Sequence, residues 1–171
     1  FSDRFRYSLL PSFMVHNKEL NFDIVAVSDL WKLRREEGQG LLKEKMGHDV
    51  QACMNNDELY RIKDLDTVII STADFQHAQH TIEAVHAGKD AYVEKPFAET
   101  MEDNRAALKA IKASNRIIQI GSQRRSGGNY ASAAEFVQSG KFGPITIVEL
   151  TWNVNQPDRW RSPALVAKCK E

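Results

Sequence analysis

Short apolar runs rich in β-branched residues recur along the chain, each followed within a few residues by a stretch of helical periodicity. This alternation limits the fold more than any other feature, because strand–helix repeats with short connections close naturally into a parallel sheet covered by helices. The runs are residues 23–29, 49–53, 67–72, 91–93 and 117–120. Residues 23–29 and 67–72 lack the polar alternation of a half-exposed strand, as expected when both faces are covered. Between the runs, Phe5, Leu9, Leu10, Phe13 and Met14 recur at helical spacing, with Pro11 as an early position or kink.

Further along, Leu33, Leu41, Leu42 and Met46 form an apolar stripe in a charged segment weakened by Gly38 and Gly40. Asn56 and Asp57 suit the cap of a short helix through Leu59 and Ile62. Residues 77–87 read as a helix that Gly88 can end. Thr100, with Asp103 three residues on, approximates a capping box for a helix through Leu108 and Ile111. The pattern changes after Gly121. There a Gly127-Gly128 loop, a helix from Tyr130 to Ser139 and a longer alternating run over 144–154 read as the start of a second α/β domain. The expected organisation is residues 1–121 for the doubly wound sheet and 122–171 for that second domain.

Charge narrows the partners. Lys+Arg and Asp+Glu both total 23, giving a net charge of zero, and no basic block points to nucleic acid or an anionic membrane surface. No apolar run approaches the roughly 18 residues of a membrane-spanning helix. Cys53 and Cys169 fit neither a metal spacing nor a disulfide framework and read as free thiols of a reducing, cytoplasmic setting. None of the five histidines has ligand spacing with a third donor, so no metal site is expected. A start without methionine or signal peptide, and an end inside a helix-like run, read as a fragment of a longer polypeptide.

In open α/β sheets, ligands bind outside the carboxyl ends of the strands. Asp29 closes the first run, where a carboxylate can accept from the ribose hydroxyls of an adenosine or cap the following helix. In the first role it repels a 2′-phosphate and favours NAD, whereas Arg34 and Arg35 nearby suit NADP, so the preference stays open. Ser71 and Thr72 close the strongest run, as cofactor contacts or as a capping turn. His77, at a helix start, would be held neutral by the helix dipole and could donate to a cofactor or serve as a cap.

Lys95 follows Glu94 and precedes Pro96, a candidate cis or sharp-turn proline that aims the preceding side chain. An ammonium there can hydrogen-bond a carbinol oxygen and stabilise alkoxide character during hydride loss. The bland alternative is a surface salt bridge with Glu94. Gln123, Arg124 and Arg125 offer donors toward the same edge or toward interdomain salt bridges. Trp152, Trp160 and Arg161 suit stacking on a sugar or nicotinamide, or a domain core.

Taken in order, these segments resemble the glucose-fructose oxidoreductase / inositol dehydrogenase / rhizopine-catabolism family of NAD(P)-dependent oxidoreductases. The resemblance is carried by Val25-Ala26-Val27-Ser28-Asp29, the stretch 68–77, Ala87-Gly88-Lys89 leading into Glu94-Lys95-Pro96, and Gly121-Ser122-Gln123-Arg124-Arg125. It implies an N-terminal Rossmann domain and a C-terminal α/β domain used for substrate binding and for homo-oligomerisation as a dimer or tetramer. It also implies Asp29 as the ribose-binding acid, and Ser71, Thr72 and His77 as a cofactor-contacting turn. Glu94 and Lys95 become the nicotinamide-side motif with Lys95 catalytic; Gln123 and Arg124, and the pair Trp160 and Arg161, become cofactor- or substrate-side groups. The cofactor would be NAD or NADP, with NAD favoured by Asp29, and the substrate a sugar, cyclitol or derivative.

The chain departs from the family pattern in three places. Gly-x-Gly-x-x-Gly occurs nowhere, so the first strand and its pyrophosphate loop would be missing and the sheet would be interrupted in its middle. Ala73-Asp74 replaces a common Pro-Asn, and the downstream histidine–aspartate motif is not reached, so this segment alone is expected to be inert. Within the family, an NAD-dependent glycosidase is the alternative to a dehydrogenase; outside it, a noncatalytic nucleotide or sugar sensor. Relatives include both cytoplasmic and exported proteins.

Overall fold

The computed structural model describes residues 1–151 and 163–169. The chain divides into two compact units, Phe1–Arg125 and Ser126–Glu171. The first unit alternates strand and helix as the apolar runs require. A π-helical turn, Phe5–Leu9, passes without a break into α1 (Leu10–His16), with Pro11 just past the junction. Then come β1 (Ala26–Ser28), α2 (Lys32–Met46), β2 (Gln51–Cys53), α3 (Asn56–Tyr60) and β3 (Thr67–Ile70). They are followed by α4 (His77–His86), β4 (Asp90–Glu94), α5 (Met101–Lys112) and β5 (Ile118–Gly121).

All the strand pairs are parallel, and they form two sheets. β1 pairs with β2 in the register Val27↔Ala52. β4 lies between β3 and β5, with Ile70↔Val93 and Glu94↔Gly121 closing the two ladders. Among the described residues no backbone hydrogen bond joins β1 to β3. The expected interruption is therefore present: two strands on one side and three on the other, with a cleft of about 950 Å³ lined by residues of both β1 and β3.

Each half has its own core. Phe5, Leu9 and Leu10 pack with Val27, Leu42 and Val50 over the β1–β2 half. Val68, Ile70, Ala84, Ala91 and Val93 form the core of the β3–β5 half. At roughly 1.5–3 kcal/mol for each fully buried large aliphatic side chain, these clusters supply most of the drive for helix docking. Tyr92 and Ile69 lean across to the first cluster, and Phe13 meets Tyr92 edge-on at 5.9 Å.

The helix ends follow local chemistry. Thr100 Oγ1 accepts from the Asp103 N–H at 3.1 Å, the N-cap half of the box, while its hydroxyl rather than its N–H donates to Asp103 Oδ2 at 2.6 Å. Gly88 ends the α4 segment at φ +72°, a conformation that side chains with a Cβ resist. Gly38 does not break α2; it lies against Phe1, whose ring would be 2.8 Å from an added Cβ.

Two expectations need correction. The cap of α3 is Asn55, whose Oδ1 accepts from the Glu58 N–H at 2.9 Å, because Asn56 and Asp57 already lie inside the helix. In the second unit, α6 (Gly128–Gln138) replaces the expected helix from Tyr130, but the alternating run over 144–151 forms no strand among the described residues. Alternation sets the faces of a strand, yet a ladder needs a partner. The short helix α7 (Pro163–Lys168) follows.

Candidate functional site

β1 delivers Asp29 to its carboxyl end, where Oδ1 accepts from the Trp31 N–H at 2.8 Å and Oδ2 pairs with the Phe1 ammonium. This is a turn ahead of α2 and not its cap, which falls on Trp31 without a side-chain bond. The carboxylate still lines the cleft, and its lone pairs outnumber these two donors. Both neighbouring arginines have partners of their own, although Arg34 also lines the cleft. Arg34 pairs with Asp3 at 3.0 Å and Glu37 at 3.2 Å, while Arg35 donates to the Asp29 carbonyl at 2.7 Å.

Across the cleft, Ser71 and Thr72 follow β3 and line the same space. Ser71 Oγ accepts from Ser2 Oγ at 3.0 Å, and Thr72 Oγ1 lies 3.3 Å from His80 Nδ1. Asn56 bridges the two halves of the cleft wall, since its Oδ1 accepts from Ser28 at 3.1 Å and its Nδ2 donates to Glu83 at 3.1 Å. His77 does not face this space. Only 1% exposed, it sits behind the turn, with Nδ1 at 2.7 Å from the Pro96 carbonyl oxygen and Nε2 at 3.2 Å from that of Thr72.

β4 carries Glu94 and Lys95 to the next exit, and the two side chains part company there. Glu94 is 3% exposed, and Oε1 accepts from Gln123 Nε2 at 2.6 Å and from Arg4 Nε at 3.0 Å. Oε2 accepts from the Lys95 N–H at 3.3 Å. The Lys95 ammonium has no ion-pair partner among the described residues, and its side chain is exposed. The expected surface salt bridge between them is therefore absent: Glu94 points inward to the better-placed donors, Gln123 and Arg4. The Lys95–Pro96 peptide is cis.

Gln123 also donates to the Tyr92 hydroxyl at 2.8 Å, directly over Gly121. A Cβ on Gly121 would lie 2.7 Å from both groups, so the glycine is needed for their approach. Arg124 follows in the 3-10 turn Gln123–Ser126 and is exposed. Trp152, Trp160 and Arg161 lie outside the described residues.

The structure thus gathers Asp29, Ser71 and Thr72 at the cleft, and Glu94, Lys95, Gln123 and Arg124 at the adjoining strand ends. Sequence reasoning missed Arg4, Tyr92, Asn56 and Glu83. Arg4 reaches Glu94 from 90 residues away and carried no local signal; a tyrosine inside an apolar strand run was the one clue to the polar anchor of Glu94. Among the described residues no group of three His, Cys, Asp or Glu side chains is placed to hold a metal ion. No described helix is long and apolar enough to cross a membrane.

A dinucleotide suits this set of groups. A carboxylate, Asp29, and two hydroxyls, Ser71 and Thr72, stand just past the carboxyl ends of β1 and β3 with Trp31 beside them, where open α/β sheets take their ligands. At the pyrophosphate end the chain has no Gly-x-Gly-x-x-Gly, so the fit is to the adenosine side and the reacting end.

The chain is similar in sequence and fold to known proteins. Inositol 2-dehydrogenase of Agrobacterium fabrum is 26% identical over 144 residues, covering 84% of this chain and 42% of that protein. The scyllo-inositol 2-dehydrogenase (NAD(+)) of Bacillus subtilis is 32% identical over 121 residues, covering 70% of this chain and 34% of that protein. Among solved structures, myo-inositol 2-dehydrogenase from Lactobacillus plantarum superposes with a TM-score of 0.61 at 27% identity, over 71% of this chain and 34% of that one. Scyllo-inositol dehydrogenase from Lactobacillus casei, solved with bound NAD(H) and scyllo-inositol, shares the fold at a TM-score of 0.64 and 23% identity, over 78% and 39% of the two chains. The chain spans less than half the length of these relatives. A family model described as an oxidoreductase family with an NAD-binding Rossmann fold matches residues 4–122, and with the parallel strand order and the residues at the strand ends it shows that this chain belongs to the glucose-fructose oxidoreductase / inositol dehydrogenase / rhizopine-catabolism family.

Proposed function

We propose that the chain forms the dinucleotide-binding part of an NAD-dependent dehydrogenase that oxidises a secondary alcohol of a cyclitol or sugar, with Lys95 polarising the reacting oxygen. The observation that supports this most is the exposed Lys95 at the carboxyl end of β4, without an ion-pair partner among the described residues, beside a buried Glu94 that is bonded to other groups. A lysine neutralised by its neighbour would have little field to offer an alkoxide. One that is free of it can donate to the carbinol oxygen and stabilise the negative charge that develops there. The relatives named as inositol dehydrogenases support the cyclitol class.

Asp29 would hold the adenosine ribose, and Ser71 and Thr72 would meet the cofactor from the opposite wall of the cleft. When bound, the dinucleotide supplies the hydride acceptor. Preference for NAD over NADP is supported by three groups together: Asp29 faces the cleft, Arg34 is held by Asp3 and Glu37, and Arg35 is held by the Asp29 carbonyl. A 2′-phosphate would meet a carboxylate with both nearby guanidinium groups committed. Residues 122–171 would begin the substrate-binding and oligomerisation domain, with Arg124 a cofactor- or substrate-side group and Trp160 and Arg161 the pair that approaches the nicotinamide.

The test is a titration of NADH and NADPH followed by nicotinamide fluorescence, together with inositol oxidation by the natural protein that carries this chain. NADH should bind at least about tenfold more tightly than NADPH, a difference of about 1.4 kcal/mol. Lys95→Ala should abolish most turnover without weakening NADH. Equal affinity for the two dinucleotides would overturn the preference, and undiminished turnover would overturn the role of Lys95.

A further inference from the structure

His77 is left over by this site. Its ring is buried, outside the cleft, and both nitrogens face carbonyl oxygens that can only accept. We infer that His77 is a positioning residue for Lys95, acting through the carbonyl of Pro96. The inference rests on the role proposed for that lysine.

The ladder between β3 and β4 ends at Ile70↔Val93, and the two chains then leave the sheet by separate turns. Thr72 lies two residues beyond one strand end and Pro96 two residues beyond the other. The imidazole of His77 lies between them, 2.7 Å from the Pro96 oxygen and 3.2 Å from the Thr72 oxygen; a neutral ring donates from one nitrogen only, and the shorter contact, to Pro96, is that bond. The ring itself is fixed at the start of α4, whose first turn is locked by Thr81 donating to the His77 carbonyl at 2.8 Å within the core.

Lys95 is consequently held on both sides. Its own N–H lies against Glu94 Oε2, and Glu94 is tied to Gln123 and Arg4. On the other side, the carbonyl of the next residue is tied to His77. An exposed lysine with no ion pair would otherwise sit on a turn free to pivot. The shorter contact, to Pro96, fixes the Pro96–Phe97 peptide, one residue past the lysine, so Nδ1 is the ring atom that matters.

Asparagine and glutamine separate the two nitrogens, since the Asn amide reaches about as far as Nδ1 and the Gln amide about as far as Nε2. His77→Asn, His77→Gln and His77→Ala are to be compared in the chain by the NMR resonances of the Lys95 Cε and the amides of Lys95 and Phe97. The natural protein that carries the chain gives kcat and KM. His77→Asn should keep the Lys95 and Phe97 resonances near their original positions and kcat within about threefold. Gln and Ala should shift them and lower kcat by up to ~100-fold, the scale of a displacement of about 1 Å at a reacting group, with KM for the dinucleotide unchanged.

Equal behaviour of Asn and Gln, or Lys95 resonances that stay in place in both Gln and Ala variants, would overturn the inference. So would unfolding of all three, which would make the ring a core strut only. The resonances do not depend on catalysis. Shifted Lys95 signals with a fully active Lys95→Ala variant would therefore leave the bracing in place and remove the proposed chemistry instead.

Discussion

Glu94 and Gln123 meet across the ends of β4 and β5, with Gln123 Nε2 donating to the buried Glu94 Oε1 at 2.6 Å. The same carboxylate takes Arg4, so one buried charge holds together the N-terminal helix and two strand exits. Replacing it with the neutral amide, Glu94→Gln, keeps the shape but places an NH2 group among donors. The expected loss is about 1–3 kcal/mol, at the lower end because Arg4 is partly solvated. Urea unfolding of the two chains measures it, and an unchanged midpoint would show that Glu94 anchors nothing.

Lys95→Ala should behave in the opposite way. The side chain is exposed and makes no ion pair among the described residues, so stability should stay within about 0.5 kcal/mol. Turnover in the natural protein should fall by about 10²–10⁴, the usual weight of a positioned proton donor. A stability loss like that of Glu94→Gln would mean that the lysine is structural.

These two neighbours show what could be read from the sequence and what could not. The strand ending at Glu94 was legible, because apolar β-branched runs are the local signature of covered strands. The parallel pairing followed from their spacing by helices. The choice of partner for Glu94 was not legible, since it depends on Arg4 and Gln123 arriving from distant segments. His77 illustrates the same limit: position at a helix start suggested a ligand-facing ring, whereas burial behind the turn is a tertiary fact. Residues 144–151 mark the converse error: their alternation read as a strand, and among the described residues they have no strand to pair with.

Gly121→Ala tests the crowded corner above β5. An added Cβ would stand 2.7 Å from Gln123 Nε2 and from the Tyr92 hydroxyl, and one of them must move. Both are ends of side chains, so the fold should survive with a loss of about 1–3 kcal/mol. Urea unfolding and the tyrosine ultraviolet spectrum would report it, and a neutral result would mean that the corner is slack.

The pH response of the β3–α4 region centres on His80. Burial holds its imidazole below the ordinary value of 6.5, with His77 adding to the effect and Glu83 opposing it. The folded chain therefore favours the neutral ring, and the unfolded chain binds the proton first on acidification. Stability from this group is complete above about pH 6.5 and declines as pH falls toward the lower folded value. His80→Gln should lose less stability than the parent between about pH 8 and about pH 5. Parallel losses in the two chains would assign the effect elsewhere.

The two thiols should differ sharply. Cys53, at the end of β2, is buried, and burial together with Glu58 pushes its thiol above the ordinary range; Cys169 is exposed. Maleimide should label Cys169 in the folded chain and Cys53 only after unfolding. Rapid labelling of Cys53 under native conditions would contradict the β1–β2 packing.

The sheet interrupted between β1 and β3 also shapes how the first unit comes apart. Among the described residues no backbone ladder crosses the break, and the halves are coupled through side chains, among them Asn56 to Glu83, Ser2 to Ser71, Arg4 to Glu94, Tyr60 to the His80 carbonyl and the Phe13–Tyr92 contact. Cooperative openings follow contiguous hydrogen-bonded units. The β1–β2 half should then exchange its amide hydrogens through openings of its own, while β4, paired on both flanks, retains its protons longest.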